Sequence, residues 1–247
     1  MKKVLTILAV LCALTLVLSL AACGKAPAPA SVPASVPASV PASTPASVPA
    51  STPADPAAAL PTDTTDGANA LAQLSEEAVT MAQDVPDFLS ADLQDLYRAA
   101  YYLDFHFTIV AGFDTDFNAK PIIADNGMEM HPDKEFASYS AFRKAMDSVF
   151  TPEETDAMLN FSQSYMDDGN DVLYSGYGSR GTNIFYTGST FTLVSADESK
   201  IVMNMIAHYD EAMMKENNVS YPTEETFEIT MVKTDAGWRF TNFELGQ

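Results

Sequence analysis

From Ala30 to Pro53 the chain repeats Ala-Ser-Val-Pro or Ala-Ser-Thr-Pro with a period of four. A proline at every fourth position removes amide donors and holds φ at about −65°, so neither helix nor sheet can form there. The expected form is an extended polyproline II arm rising about 3.1 Å per residue, and some 30 such residues reach on the order of 90 Å. This spacer divides the chain. Residues 1–22 precede a cysteine, residues 23–66 form the Pro/Ala/Ser-rich linker, and residues 67–247 remain for a single domain long enough to bury a core. No aromatic or basic side chain lies within the repeat, which argues against its being a ligand for a proline-reading domain.

Met1-Lys2-Lys3 is a short basic start, and Val4 to Leu20 is apolar apart from Thr6, Thr15 and Ser19. Such a run, ending in small residues, has the form of a secretory signal. Its close, Leu20-Ala21-Ala22-Cys23, resembles the bacterial lipoprotein box. That resemblance implies cleavage before Cys23 and a diacylglycerol on its thiol, which places the protein on the outer face of the bacterial cell membrane. The competing expectations are an ordinary cleaved signal and an uncleaved anchor. Each buried methylene of a lipid chain adds about 0.8 kcal/mol, so two or three acyl chains hold far more firmly than one.

The chain has 33 acidic and 13 basic residues, a net charge of −20. Nucleic acid is therefore a poor partner, because phosphate binding needs clustered Lys and Arg. A basic protein partner would be drawn in by the same field, with an attraction that weakens with salt, while solubility outside the cell is the competing account of the acidity. The two cysteines, Cys12 and Cys23, both lie outside residues 67–247, so the domain has neither a disulfide nor a cysteine nucleophile. No cofactor motif is implied.

Within the domain, Leu71, Leu74, Ala78 and Met81 form the stripe of an amphipathic helix over Asn69–Asp84, ended by Pro86. Ser90 can cap a second helix, with Leu93, Leu96, Tyr97, Ala100, Tyr101 and Leu103 on one side, running towards Gly112. Asp125-Asn126-Gly127 predicts a turn between two short strands. Tyr139, Phe142, Ala145, Met146 and Val149 mark a third helix. Thr151-Pro152-Glu153-Glu154 opens a fourth, with a threonine cap, proline at the first position and glutamate at the third. After Gly169 the period becomes alternating: Phe191 and Leu193, then Ile201, Met203, Met205 and Ala207, then Phe227, Ile229 and Met231. In the last strand Trp238 and Phe240 share one parity and Phe243 and Leu245 the other, which predicts a bulge near Thr241 and Asn242. The order is that of an α+β domain, with N-terminal helices packed on a curved antiparallel sheet formed mainly by the C-terminal half.

Several chemistries can be weighed from spacing alone. Gly176-Tyr177-Gly178-Ser179-Arg180-Gly181 spells G-x-G-x-x-G, but β-prone residues follow where a helix is required, so a glycine-rich connection is expected. Asp114, Asp116 and Asn118 are spaced like the first ligands of a calcium loop, with Asp125 at the twelfth position. Ala119 stands where a turn glycine belongs, however, so a solvated acidic loop is the competing expectation, as it is for Asp167 to Asp171. His106 and His208, each with an aspartate two residues away, are the candidates for acid-base work, against which a surface or satisfied core histidine is the competing expectation and no catalytic residue is assigned; His131, next to Pro132, reads as loop. Tyr174, Tyr177, Arg180 and Tyr186 lie in one glycine-bounded segment and are of the types that anchor protein interfaces; packing on the core is their alternative role.

The run Tyr139 to Leu159, two helices joined at Thr-Pro-Glu-Glu, resembles the helical pair of the IseA family, secreted inhibitors of bacterial cell-wall D,L-endopeptidases. The ending Thr226 to Lys233 followed by Gly237-Trp238-Arg239-Phe240-Thr241-Asn242-Phe243 is similar to that family's last hairpin, and also to the wider class of cone-shaped domains related to nuclear transport factor two. The first resemblance implies a non-enzymatic protein that occludes the cleft of an NlpC-type cysteine peptidase, a cell-wall hydrolase. The second implies a ligand-binding or sensor domain, for which a deep apolar pocket is expected, or an acid-base enzyme.

Overall fold

The computed structural model describes residues 60–62, 64–176, 178 and 181–247. The chain divides into Met1–Ser51 and Thr52–Gln247, and all described residues belong to the second unit. Cys23, the proline repeat, Tyr177 and Arg180 lie outside them.

Helices come first: α1 Asp66–Leu71, α2 Glu77–Met81 and α3 Ala91–Phe105, the last running on into a π-helical turn, His106–Val110. A hairpin of β1 Ile122–Ile123 and β2 Glu129–Pro132 precedes α4 Tyr139–Val149 and α5 Pro152–Ser162. Then come β3 Tyr165–Asp167, β4 Leu173–Gly176, β5 Tyr186–Ala196, β6 Lys200–Tyr209, α6 Glu211–Glu216, β7 Glu224–Thr234 and β8 Gly237–Asn242. The strands form two four-stranded antiparallel sheets, β1-β2-β4-β3 and β5-β6-β7-β8. The domain is α+β, and the second sheet is the curled C-terminal meander that the alternating stretches predict. The first sheet is separate because β4 pairs back onto β2, with Met130 opposite Gly176 and His131 opposite Ser175.

The helix expected over Asn69–Asp84 is two short ones. Between them Gln73 and Leu74 donate to carbonyls three residues back, and the Ser75 amide leaves the helical path to donate to the Glu135 carboxylate at 3.0 Å. That long-range bond takes the place of a helical one. The Asp92 carboxylate accepts from the amides of Gly67 and Ala68 at 3.1 and 3.0 Å, so a residue of α3 caps the first turn of α1. A Cβ on Gly67 would lie 1.8 Å from the Asp92 carbonyl oxygen, which is why this helix contact requires glycine. Residues ahead of 67 also contact the domain: Thr64 donates to Asp66 and Asp92, and Leu60 packs against the core.

Ser90 has the backbone of a helix cap, but its hydroxyl makes no capping bond and is buried without a partner. Thr151 does cap α5, accepting from the Glu154 amide. The reciprocal half of that box is absent, because the Thr151 amide donates to Phe240 in β8 at 2.9 Å. In β6, Ile201, Met203, Met205 and Ala207 are all buried. The bulge in β8 is at Thr241: Thr230 pairs with Asn242 and Met231 with Phe240, leaving Thr241 as the extra residue. Helix α6 was not expected. Its signals are an Asp210 carboxylate that accepts from the Met213 amide and a Glu211–Lys215 pair. Tyr97 of α3 packs on Phe191 of β5 and on Phe243, and Phe150 on Phe240 and Phe243, which seats the helices on the curled sheet.

Candidate functional site

A cleft of about 210 Å³ opens between α3, strands β5 and β6 and the last residues of the chain. Tyr97 and Tyr101, four residues apart, present their side chains from the same face of α3. Tyr186 and Gly188-Ser189 of β5 line the opposite wall, Asp84 arrives from the loop after α2, and Leu245 to Gln247 complete the rim.

The wall is shaped by a break in β5. Tyr186 pairs with Tyr209 and Gly188 with His208, so one residue is extra between them. Gly188 has φ 142°, and a Cβ there would lie 3.1 Å from Asp84 Oδ2. The bulge turns the Ser189 amide towards that oxygen, to which it donates at 2.7 Å. The Tyr186 hydroxyl and Ser189 Oγ are 2.7 Å apart. Tyr101 accepts from the Gln247 side-chain amide. Among the described residues the Tyr97 hydroxyl donates only to the Met205 sulfur, at 3.9 Å, a weak acceptor. Burial raises the Tyr97 pKa well above the ordinary phenol range, and Tyr186, Tyr101, Asp84 and Asp104 add to this. Burial also raises Tyr101 and Tyr186, each against one opposing hydrogen bond. The site thus offers three neutral phenols and a carboxylate. Its lining is mostly polar, which differs from the deep apolar pocket expected of a sensor domain.

Of the interface candidates, Tyr186 lines this cleft while Tyr174 lies in the first sheet, opposite Pro132 and Met166. The structure does not bring these two together. Tyr177 and Arg180 are outside the described residues, and strand β5 rather than a helix follows the glycine-rich run. Asp116 pairs with Lys134 at 2.6 Å and accepts from the Asn118 amide, while Asp114 is exposed. Lys134 holds the Asp116 carboxyl below its usual range. Among the described residues no three His, Cys, Asp or Glu side chains gather as a metal-holding group. Asp167 and Asp168 accept from amides of their own turn, and Asp171 accepts from the Ser140 amide at the start of α4.

None of the three histidines lines the cleft. His208 lies 2.9 Å from the Thr190 hydroxyl and 3.3 Å from Glu224. His131 pairs with Glu129 at 3.0 Å. His106 is buried against Tyr102 and Phe113, with Nδ1 2.6 Å from the Gly112 carbonyl and Nε2 without a partner. Burial lowers its pKa below 6.5, against the opposing pull of the Gly112 carbonyl, Glu77, Glu135 and Asp133. The unfolded chain therefore takes up a proton that the folded one resists. The resulting stability is present above pH 6.5 and is lost as pH falls through that value towards the folded pKa. Urea midpoints measured on acidification should fall more steeply for the wild type than for His106→Gln, and parallel curves would contradict this.

In the sequence Tyr97 and Tyr101 belong to a helical core stripe, and Asp84 carries no functional signal. The available signal was the pair of tyrosines at i and i+4, whose hydroxyls need polar company when buried. No family model matches the chain, and no curated protein matches it.

Proposed function

We propose that this chain is a bacterial lipoprotein, held at the outer face of the cell membrane by an acylated Cys23, whose α+β domain is a non-catalytic binding module on a proline-rich arm. The cleft carries the binding reading. Three separate stretches of chain converge there to present a carboxylate, from Asp84, and three phenols, from Tyr97, Tyr101 and Tyr186, and no histidine lies on its wall. The anchor rests on the apolar run closing in Leu20-Ala21-Ala22-Cys23. Mass spectrometry of the membrane-extracted protein should find diacylglycerol on an N-terminal Cys23, and Cys23→Ser should leave the detergent phase; an unmodified thiol would end the lipoprotein reading.

A second reading, inhibition of a cell-wall D,L-endopeptidase, draws on the helical pair that carries the resemblance. On α5 of that pair Phe161 is 88% exposed, an aromatic of the kind that anchors in a partner's cleft. The protein should slow peptidoglycan cleavage by such an enzyme, less so as Phe161→Ala. Undiminished cleavage at high protein concentration would dispose of it.

A further inference from the structure

We infer that the tyrosine-lined cleft takes a small primary ammonium compound, with the Asp84 carboxylate as its counter-ion and the phenol oxygens as further acceptors. The inference rests on the reading of this cleft as a binding site and adds the class of ligand.

Three observations lead to it. The first is an uncompensated charge. One Asp84 oxygen is engaged by the Ser189 amide, no Lys, Arg or His lines the cleft, and no cation of the chain pairs with Asp84 among the described residues. An anion would meet a carboxylate and no base; a cation would meet its complement. The second is a hydroxyl short of a partner. Tyr97 is 1% exposed; its O–H donates to a thioether sulfur, and among the described residues no donor reaches the lone pairs of its oxygen. A buried phenol that lacks a good partner is costly unless something else supplies one. An incoming N–H donor would do so.

The third observation separates one kind of cation from another. The exposed lining is mostly polar atoms, so the cleft offers oxygens more than ring faces. Quaternary ammonium groups are held chiefly by aromatic faces. A primary ammonium has three N–H donors and matches a carboxylate and phenol oxygens. The cleft volume, about 210 Å³, suits a small ligand. The net charge of −20 favours delivery of a cation to this surface.

The test is isothermal titration of the whole chain in a non-ionic detergent with four probes: propylammonium, tetramethylammonium, glycerol and propionate. Propylammonium should bind, tetramethylammonium should bind less tightly, and the other two should give no heat of binding. Asp84→Asn retains an oxygen for the Ser189 amide and should weaken propylammonium at least about tenfold, as loss of a charge-assisted hydrogen bond does. Tyr97→Phe, which leaves the packing in place, should weaken it severalfold. Thermal melts of both variants check that the fold is retained. Binding of glycerol, propionate or tetramethylammonium as tight as that of propylammonium, or binding indifferent to Asp84→Asn, overturns the ammonium assignment and leaves the cleft a binding site. Silence from all four probes overturns both.

Discussion

Phe142→Ala is expected to destabilise the domain by about 3–5 kcal/mol, lowering its melting temperature by on the order of 10 °C for a domain of this size. Phe142 is fully buried on α4. Its ring lies 5.3 Å from both Phe136 and Tyr165, 5.9 Å from Phe107 and Tyr139, and 6.0 Å from Phe113. These neighbours come from the π-helical turn, the loop ahead of β1, the approach to α4, α4 itself and β3. Each is tied to its own element, so the shell cannot close over the space left by the ring. Phe142→Leu, which fills most of that space, should cost far less. Urea denaturation of the two variants measures the difference, and a loss below about 1 kcal/mol for the alanine would show that the site collapses freely.

The second large effect is polar. Asp133 is 4% exposed, and its carboxylate accepts from four donors: the amides of Phe113 at 2.8 Å, Asp114 at 3.2 Å and Glu135 at 3.1 Å, and the Ser175 hydroxyl at 3.0 Å. It joins the loop after the π-helical turn to β4 of the first sheet. Beside it Tyr165 donates to the His106 carbonyl at 2.7 Å and accepts from the Gly112 amide at 2.8 Å. Asp133→Ala strands all four donors at once, and the expected loss is about 3–5 kcal/mol, because each unpaired buried donor costs about 1–3 kcal/mol and some will find water. Ser175→Ala removes a single donor and should cost about 1 kcal/mol. Equal losses for the two variants would show that the carboxylate does not organise the loop.

The contrast between these two residues shows where sequence reasoning reaches. Phe142 could be placed in the core because the stripe Tyr139, Phe142, Ala145, Met146, Val149 has a helical period, and period is a local property of the chain. Asp133 stands next to a lysine in a loop with no period, and nothing local reveals that amides 19 and 20 residues earlier and a hydroxyl 42 residues later will meet its carboxylate. The same holds for the cleft. The Thr241 bulge was legible as a parity change within one strand, whereas the bulge between Tyr186 and Gly188 carries no such mark. The predicted first helix failed for a related reason: a fair amphipathic stripe was overridden at Ser75 by a carboxylate 60 residues away.

What the sequence determined unaided is whatever depends on neighbours along the chain. That includes the helical and alternating stretches and their α+β order, the cap at Thr151 and the acidic charge. Tertiary structure alone decided that the strands divide into two sheets, that Asp92 caps a helix other than its own, and that Asp84, Tyr97, Tyr101 and Tyr186 face one cleft. These outcomes depend on which distant surfaces bury each other and which buried donors find acceptors, and such pairings are settled by the energy of the whole packed chain.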